Sequence, residues 1–328
     1  MNSVVLALFI CRAQIFYPSF VGWGWYWLNS FVVMPIFQAE KIRQVILKAA
    51  GAKYLIMKLM TKLSIQPGQY VLVDGRPFTV ASIVYNENNT KNLTFVVEVK
   101  GPWTQRLRGS IPQGGMQVHI QGGYGGALNM KERAVLVGTG TGFSGPLCMV
   151  ESITRQVDPA LRARNKIVLL GQMKLELFKI YAPLLLQVIT SEESDEWLTV
   201  RIYISDNPML QNDRENTLTE NTLTDIVRQS LDDSVVLKKT KVADALLEIK
   251  LGEIIGEKKY VEKIDFVQAL RKVVPASDAT SPCKTVSVCF QGSQPTVREK
   301  LELALHEARL NNVNVHFPCV MEEYSGGI

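Results

Sequence analysis

The sequence predicts an α+β arrangement followed by an α/β one: a small antiparallel barrel, then a parallel sheet with helices, with an apolar helix ahead of both. Three observations predict it. Between residues 54 and 100, short alternating runs are separated by turn residues, and the tightest turn is Asp74-Gly75. Beyond residue 130 the rhythm changes. The apolar run Ala134-Val135-Leu136-Val137 passes into Gly138-Thr139-Gly140-Thr141-Gly142 and then a helical pattern, as expected of a strand buried on both faces. Finally, residues 17–37 carry no charge, include Trp23, Trp25, Tyr26 and Trp27, and are long enough to cross a bilayer.

A chain of 328 residues suits two domains of ordinary size, each able to bury a core. The spacing divides it into an anchor over residues 1–45, a barrel over 50–127 and an α/β domain over 130–328, with an insertion at about 207–281. Lys and Arg number 36 against 31 Asp and Glu, and this net charge of +5 is too small to point to nucleic acid. The five cysteines, Cys11, Cys148, Cys283, Cys289 and Cys319, show no Cys-x-x-Cys spacing. Neither a zinc site nor a disulfide framework is signalled, which fits a reducing compartment for the globular part.

The N-terminal stretch reads as a membrane anchor. Lys41, Arg43, Lys48, Lys53, Lys58 and Lys62 follow it, and positive charge on that flank puts the downstream chain on the cytoplasmic side. A removed leader and a buried soluble helix are the alternatives. The earlier run at 4–11 is too short to span a bilayer, and no small-residue cleavage site clearly follows it.

In the barrel, residues 54–59 open a strand, 70–73 and the segment from Arg76 form a hairpin, 78–85 continue as strand, and 93–100 alternate. On the second hairpin strand Arg76 and Phe78 share one face while Thr79 points to the other. Such a strand offers a guanidinium to phosphate oxygens, a ring to a flat group and a hydroxyl to a ring edge. The next segment, Val99-Lys100-Gly101-Pro102-Trp103-Thr104, leads into a helix start, where backbone amides suit an anion.

In the second domain the glycine turn at 138–142 follows a strand and opens a helix, the arrangement in which free amides meet a dinucleotide phosphate. A second apolar strand (166–171), a helix (176–189) and a third strand (197–205) follow, then the polar, charged insertion. Thr285 to Ser293 reads as a last strand ending in Cys289-Phe290-Gln291-Gly292. Cys289 has two readings: a buried core thiol, or a group at the carboxyl end of a strand, where such sheets bind ligands.

Pro67-Gly68-Gln69, Arg76-Pro77-Phe78-Thr79 with Ala81-Ser82, the Lys100-Gly101 helix start, the glycine turn and the Cys289 region occur in one order. In that order they resemble the ferric reductase and NADPH oxidase family of the ferredoxin-reductase superfamily. The resemblance implies an FAD-binding barrel, a Rossmann-like NADPH-binding domain and the end of a transmembrane region at 27–43. It assigns Arg76, Pro77, Phe78, Thr79, Ser82, Lys100, Gly101 and Thr104 to FAD. Gly138, Gly140, Thr141 and Gly142 fall to NADPH, Cys289 and Gly292 lie beside the nicotinamide, and Tyr324 stacks on the flavin.

Three positions depart from the family pattern: Arg76 replaces the usual histidine, Gly123 a proline and Phe290 a glycine, the last implying a narrowed nicotinamide pocket. The implied activity is electron transfer from NADPH through FAD to a one-electron acceptor such as a ferric chelate. The alternatives are transfer to oxygen, or a non-catalytic, membrane-tethered remnant that binds a partner. Family members hold two haems through four membrane histidines, whereas this sequence has only His119, His306 and His316. A haem-bearing membrane partner, or a longer parent chain, is therefore expected.

Overall fold

The computed structural model describes residues 39–42, 45–111, 116–125, 132–155, 164–189, 197–204, 264–274, 285–311 and 315–323. It enters as strand, not helix. β1 (Ala39–Ile42) pairs antiparallel with β8 (Val118–Tyr124), so the barrel begins within the stretch expected to end a transmembrane helix. Alternation explains this: Ile42 is buried in the barrel core while Lys41 is exposed. Residues 17–37 lie outside the described residues, and no described helix is long and apolar enough to cross a membrane.

β2 (Ile46–Ala50), β3 (Tyr54–Thr61), β4 (Tyr70–Val73), β5 (Arg76–Thr79), β6 (Ser82–Tyr85) and β7 (Lys91–Glu98) complete the barrel with β8. They form two antiparallel sheets, ordered β1-β8-β4-β5 and β2-β3-β7-β6. The Asp74-Gly75 turn has φ of 48° and 77°, the double left-handed geometry of a two-residue hairpin. The expected continuous strand over 78–85 is instead two strands in two sheets. Between them Val80 and Ala81 are fully buried at the corner, where the Val80 amide reaches Gln69 and the Ala81 amide reaches Thr94. The chain thus changes sheet without leaving a buried amide unpaired.

α1 (Pro102–Gly109) caps the barrel, burying Trp103 and Leu107. The second domain is a parallel sheet of β9 (Arg133–Thr139), β10 (Lys166–Met173), β11 (Leu198–Ile204), β12 (Ser287–Gly292) and β13 (Cys319–Glu323), in the order β11-β10-β9-β12-β13. α2 (Ser144–Thr154) and α3 (Leu175–Ile189) cover one face. The other is covered by α4 (Phe266–Val273) and α5 (Pro295–Asn311). The described part of the expected insertion supplies α4, whose apolar residues Phe266, Ala269, Leu270 and Val273 are buried against the sheet; the rest lies outside the described residues.

The two units share their cores. Tyr54, Ala81 and Val96 of the barrel pack with the second domain's α2, α3 and sheet, while Cys148 of α2 is buried in the barrel core. Burial pushes the Cys148 thiol up to about 12, so it is a neutral packing group at physiological pH. The buried Glu151 carboxylate accepts from the Ser82 hydroxyl at 3.0 Å and pairs with Arg155 at 2.6 Å. Arg155 also donates to the Ile83 carbonyl. Farther along the seam, Glu176 of α3 accepts from the Ala52 and Lys53 amides, and Arg108 of α1 grips the carbonyls of the same turn.

Candidate functional site

The hairpin strand behaves as its alternation predicts. Arg76 and Phe78 meet the same side chain, Trp103 of α1: the guanidinium lies over the indole at 5.2 Å, and the Phe78 ring centroid is 5.6 Å from it. Thr79 lies on the opposite face, directly across from Tyr70, whose ring pairs with Tyr124 at 5.8 Å. Arg76 is exposed and donates to the Asp74 carbonyl at 3.0 Å, which uses one of the guanidinium's five donors. Pro77 is exposed beside it.

Because Trp103 is the second residue of α1, Arg76 is held against the first turn of that helix. No acidic residue occupies this turn; Pro102 has no N–H and the Gly101 amide is taken by the Thr104 hydroxyl, so the Trp103 and Thr104 amides are the donors at the helix start. With the guanidinium they make an electropositive notch. Lys100 borders it, paired with Glu98 at 3.0 Å.

Thr104 has a different task from the expected one. Its hydroxyl accepts from the Lys100 and Gly101 amides at 3.1 and 3.0 Å and donates to the Gly101 carbonyl. Those groups shape the loop, leaving the first-turn amides to face a ligand. Phe78 is also less open than expected, since Trp103 meets its ring. Ser82 leaves the group altogether: it is buried and bonded to Glu151.

In the second domain, β9 and β12 are adjacent at the point where strand order reverses, the place where α/β sheets bind ligands beyond their carboxyl ends. The glycine turn and Gly292 meet there. A Cβ on Gly142 would lie 2.6 Å from the Gln291 carbonyl oxygen and 2.7 Å from the Gly292 Cα. One on Gly138 would strike Phe143, and one on Gly292 would strike the Thr139 hydroxyl. These glycines let the turn pack on its own sheet.

Gly140 differs, with φ of +57° and nothing within 4 Å of a built Cβ. Its outer side is open, so the backbone angle alone calls for glycine. Tyr181 holds the turn from behind, donating to the Thr141 carbonyl at 3.1 Å and meeting the Ser144 hydroxyl at 2.7 Å. Burial raises the Tyr181 pKa above its ordinary value, so its hydroxyl stays protonated.

Cys289 is fully buried in the apolar cluster with Leu136, Phe143 and Leu147, the first of its two readings. Phe290 points to the other face and fills the core under α5 with Val297 and Leu301, so it does not narrow the crevice. Tyr324 lies outside the described residues. Sequence reasoning missed Trp103, which a lone aromatic inside a helix start could have signalled, and Gln291, which nothing in its local pattern marked.

The antiparallel sheets followed by a parallel-sheet domain form a fold found in solved structures. The cytochrome b5 reductase domain of Ulva prolifera nitrate reductase shares it at a TM-score of 0.51 and 11% identity, over 85% of this chain and 96% of that one. Ferredoxin-NADP+ reductase from Plasmodium falciparum aligns at 0.47 and 12% identity, over 86% and 95% of the two chains. The Neisseria gonorrhoeae ferredoxin NADP+ reductase with bound FAD and NADP aligns at 0.45 and 13%, over 87% and 98%. No family model matches the sequence, and no curated protein does.

Proposed function

We propose that this chain is a flavin-dependent reductase that passes electrons from NADPH through FAD to a one-electron acceptor, with a ferric chelate as the acceptor class. The observation that carries the reading is a juxtaposition. An electropositive notch built from Arg76 and the start of α1 lies on the barrel, and a glycine-lined switch-point crevice lies on the sheet. The two units are joined through shared cores.

The residues fit the two cofactors. Arg76 and the Trp103 and Thr104 amides of α1 would hold the FAD diphosphate, with Lys100 and Gly101 beside it, Pro77 and Thr79 on one face of the strand forming the wall for the flat ring, and Phe78 bracing Trp103 from the other. The open outer side of Gly140, with Thr141 and Gly142, would receive the NADPH phosphates. When bound, the flavin would supply the chemistry, taking up a hydride from the dihydronicotinamide and releasing the two electrons one at a time. The chain's own work is to orient the two rings.

NADPH rather than NADH, the ferric-chelate acceptor, a cytoplasm-facing membrane location through the apolar 17–37 stretch, and a haem-bearing partner all rest on the sequence resemblance. The test is to purify the protein and record its absorption spectrum, then its reduction of soluble ferric chelates with NADPH. The expected result is a flavin spectrum without a haem band and chelate reduction that requires NADPH. A stoichiometric haem band, or a protein that carries no flavin, overturns it.

A further inference from the structure

Gly68, in the Pro67-Gly68-Gln69 turn that leads into β4, lies on the seam between the two units. The buried Gln291 side chain at the end of β12 donates its Nε2 to the Gly68 carbonyl at 2.9 Å. Gly68 has φ of +86°, and a Cβ there would overlap the Met149 side chain; a Cβ on Gly145 would overlap the Gln291 amide. Gly145 thus gives the Gln291 amide room beside α2, while Gly68 lets the barrel turn pack against Met149 of the same helix.

The two ends of this bridge adjoin the two halves of the proposed site. On the sheet side, Gln291 is the residue whose carbonyl abuts Gly142, and Gly292 follows it at the switch point. On the barrel side, the same turn fixes the hairpin. The Gln69 carbonyl accepts from Val80 immediately after Thr79, and the Gln69 side chain accepts from Gln66 and donates to the Gly125 carbonyl.

We propose that Gln291 is a positioning residue for hydride transfer: its amide, by gripping Gly68, sets the separation between the ring carried by the β4–β5 hairpin and the nicotinamide carried by the β9–β12 crevice. This rests on the reductase reading above. Transfer between two separately held rings depends steeply on their spacing, and a displacement of about 1 Å costs on the order of a hundredfold in rate. A buried amide donor seated against Gly145 and bonded to the Gly68 carbonyl adds a directional restraint to the apolar packing of the seam.

The test compares wild type with Gln291→Leu, which removes the donor at similar size, and Gln291→Asn, which keeps the donor but is shorter. Four quantities are read: FAD content, NADP+ affinity, the anaerobic rate of flavin reduction by NADPH, and the long-wavelength charge-transfer absorbance of the flavin–nicotinamide complex. Hydrogen exchange of the 66–70 segment is measured in the flavin-free protein.

Gln291→Leu should lose the charge-transfer band and slow reduction by roughly tenfold to a hundredfold, with FAD content and NADP+ affinity kept and exchange at 66–70 raised. Gln291→Asn should fall between it and wild type. An unchanged band and rate overturn the proposal, as does loss of FAD or of the fold in both variants, which would make Gln291 structural only. A wild-type protein that takes up no FAD contradicts the reductase reading itself.

Discussion

In the barrel, the charged group at the notch is a side chain held by another side chain, beside the backbone amides of α1: Arg76 lies on Trp103, and Trp103 meets Phe78. In the parallel sheet, the groups that face the crevice are backbone, and its glycines are pressed against their own sheet. The barrel notch is therefore tuned by chemistry that a substitution can remove without disturbing the fold. The crevice is tuned by space, and there a substitution disturbs the fold before it reaches any ligand. Only Gly140 escapes this rule, because its outer side is open.

The sharpest way to break that contrast is Gly142→Val. Its Cβ would fall within 3 Å of three backbone atoms of Gln291 and Gly292, which cannot move as a flexible side chain can. Destabilisation of about 3 kcal/mol is expected, read as a fall in the thermal midpoint of the protein before any cofactor is added. An unchanged midpoint would mean that the crevice glycines are there for the ligand after all.

Arg76→Ala should do the reverse. The side chain is exposed, so the thermal midpoint of the apoprotein should hold. FAD affinity should drop by about ten- to a hundredfold, the equivalent of roughly 1.5 to 3 kcal/mol for a hydrogen bond to a charged group. Equal FAD affinity in variant and wild type would take Arg76 out of the site.

The seam between the regions has a titrating group of its own. Burial raises the Glu151 pKa, with the Ser82 bond and Arg155 partly opposing it. A carboxyl whose folded pKa lies above its unfolded one contributes most when protonated in both states, and that contribution is lost as pH rises through the folded value. Raising pH from about 4.5 upward should therefore cost wild type more stability than Glu151→Gln, whose amide does not titrate. Parallel midpoint-against-pH curves for the two proteins would show that Glu151 is not perturbed at the seam.

The smallest expected effect is at Gly140. Alanine there meets no atom and is opposed only by its left-handed backbone, worth about 1 to 2 kcal/mol. Gly140→Asn should cost less than Gly140→Ala. Gly140→Val, which fills the open outer side, should raise the Michaelis constant for NADPH while flavin content stays intact. Loss of flavin instead would place this turn in the flavin site.

Much of this was legible in the sequence, because local chemistry fixed it. Asp74-Gly75 admits few conformations besides the tight turn found, and the spacing of Arg76 and Phe78 put both on one face. The apolar run at 134–137 could only be an inner strand of a covered sheet. What escaped was set by distant parts of the chain. Ser82 looked like part of a ligand motif, yet Glu151, far along the sequence, takes its hydroxyl. Cys289 and Phe290 are neighbours on one strand whose side chains go to opposite cores, and only the packing of helices on both faces decides that neither enters the crevice. β1 was hidden because its Ala-Glu-Lys-Ile follows directly on an apolar stretch and acquires its pattern only by pairing with β8.

The central claim is that the notch and the crevice serve one electron path. It is tested most directly by loading the protein with FAD and adding NADPH in the absence of oxygen, while following the flavin absorption. The account predicts tight uptake of FAD at equimolar stoichiometry and bleaching of its visible band on addition of NADPH. A protein that binds FAD but leaves it oxidised in excess NADPH, or binds no FAD at all, would contradict it.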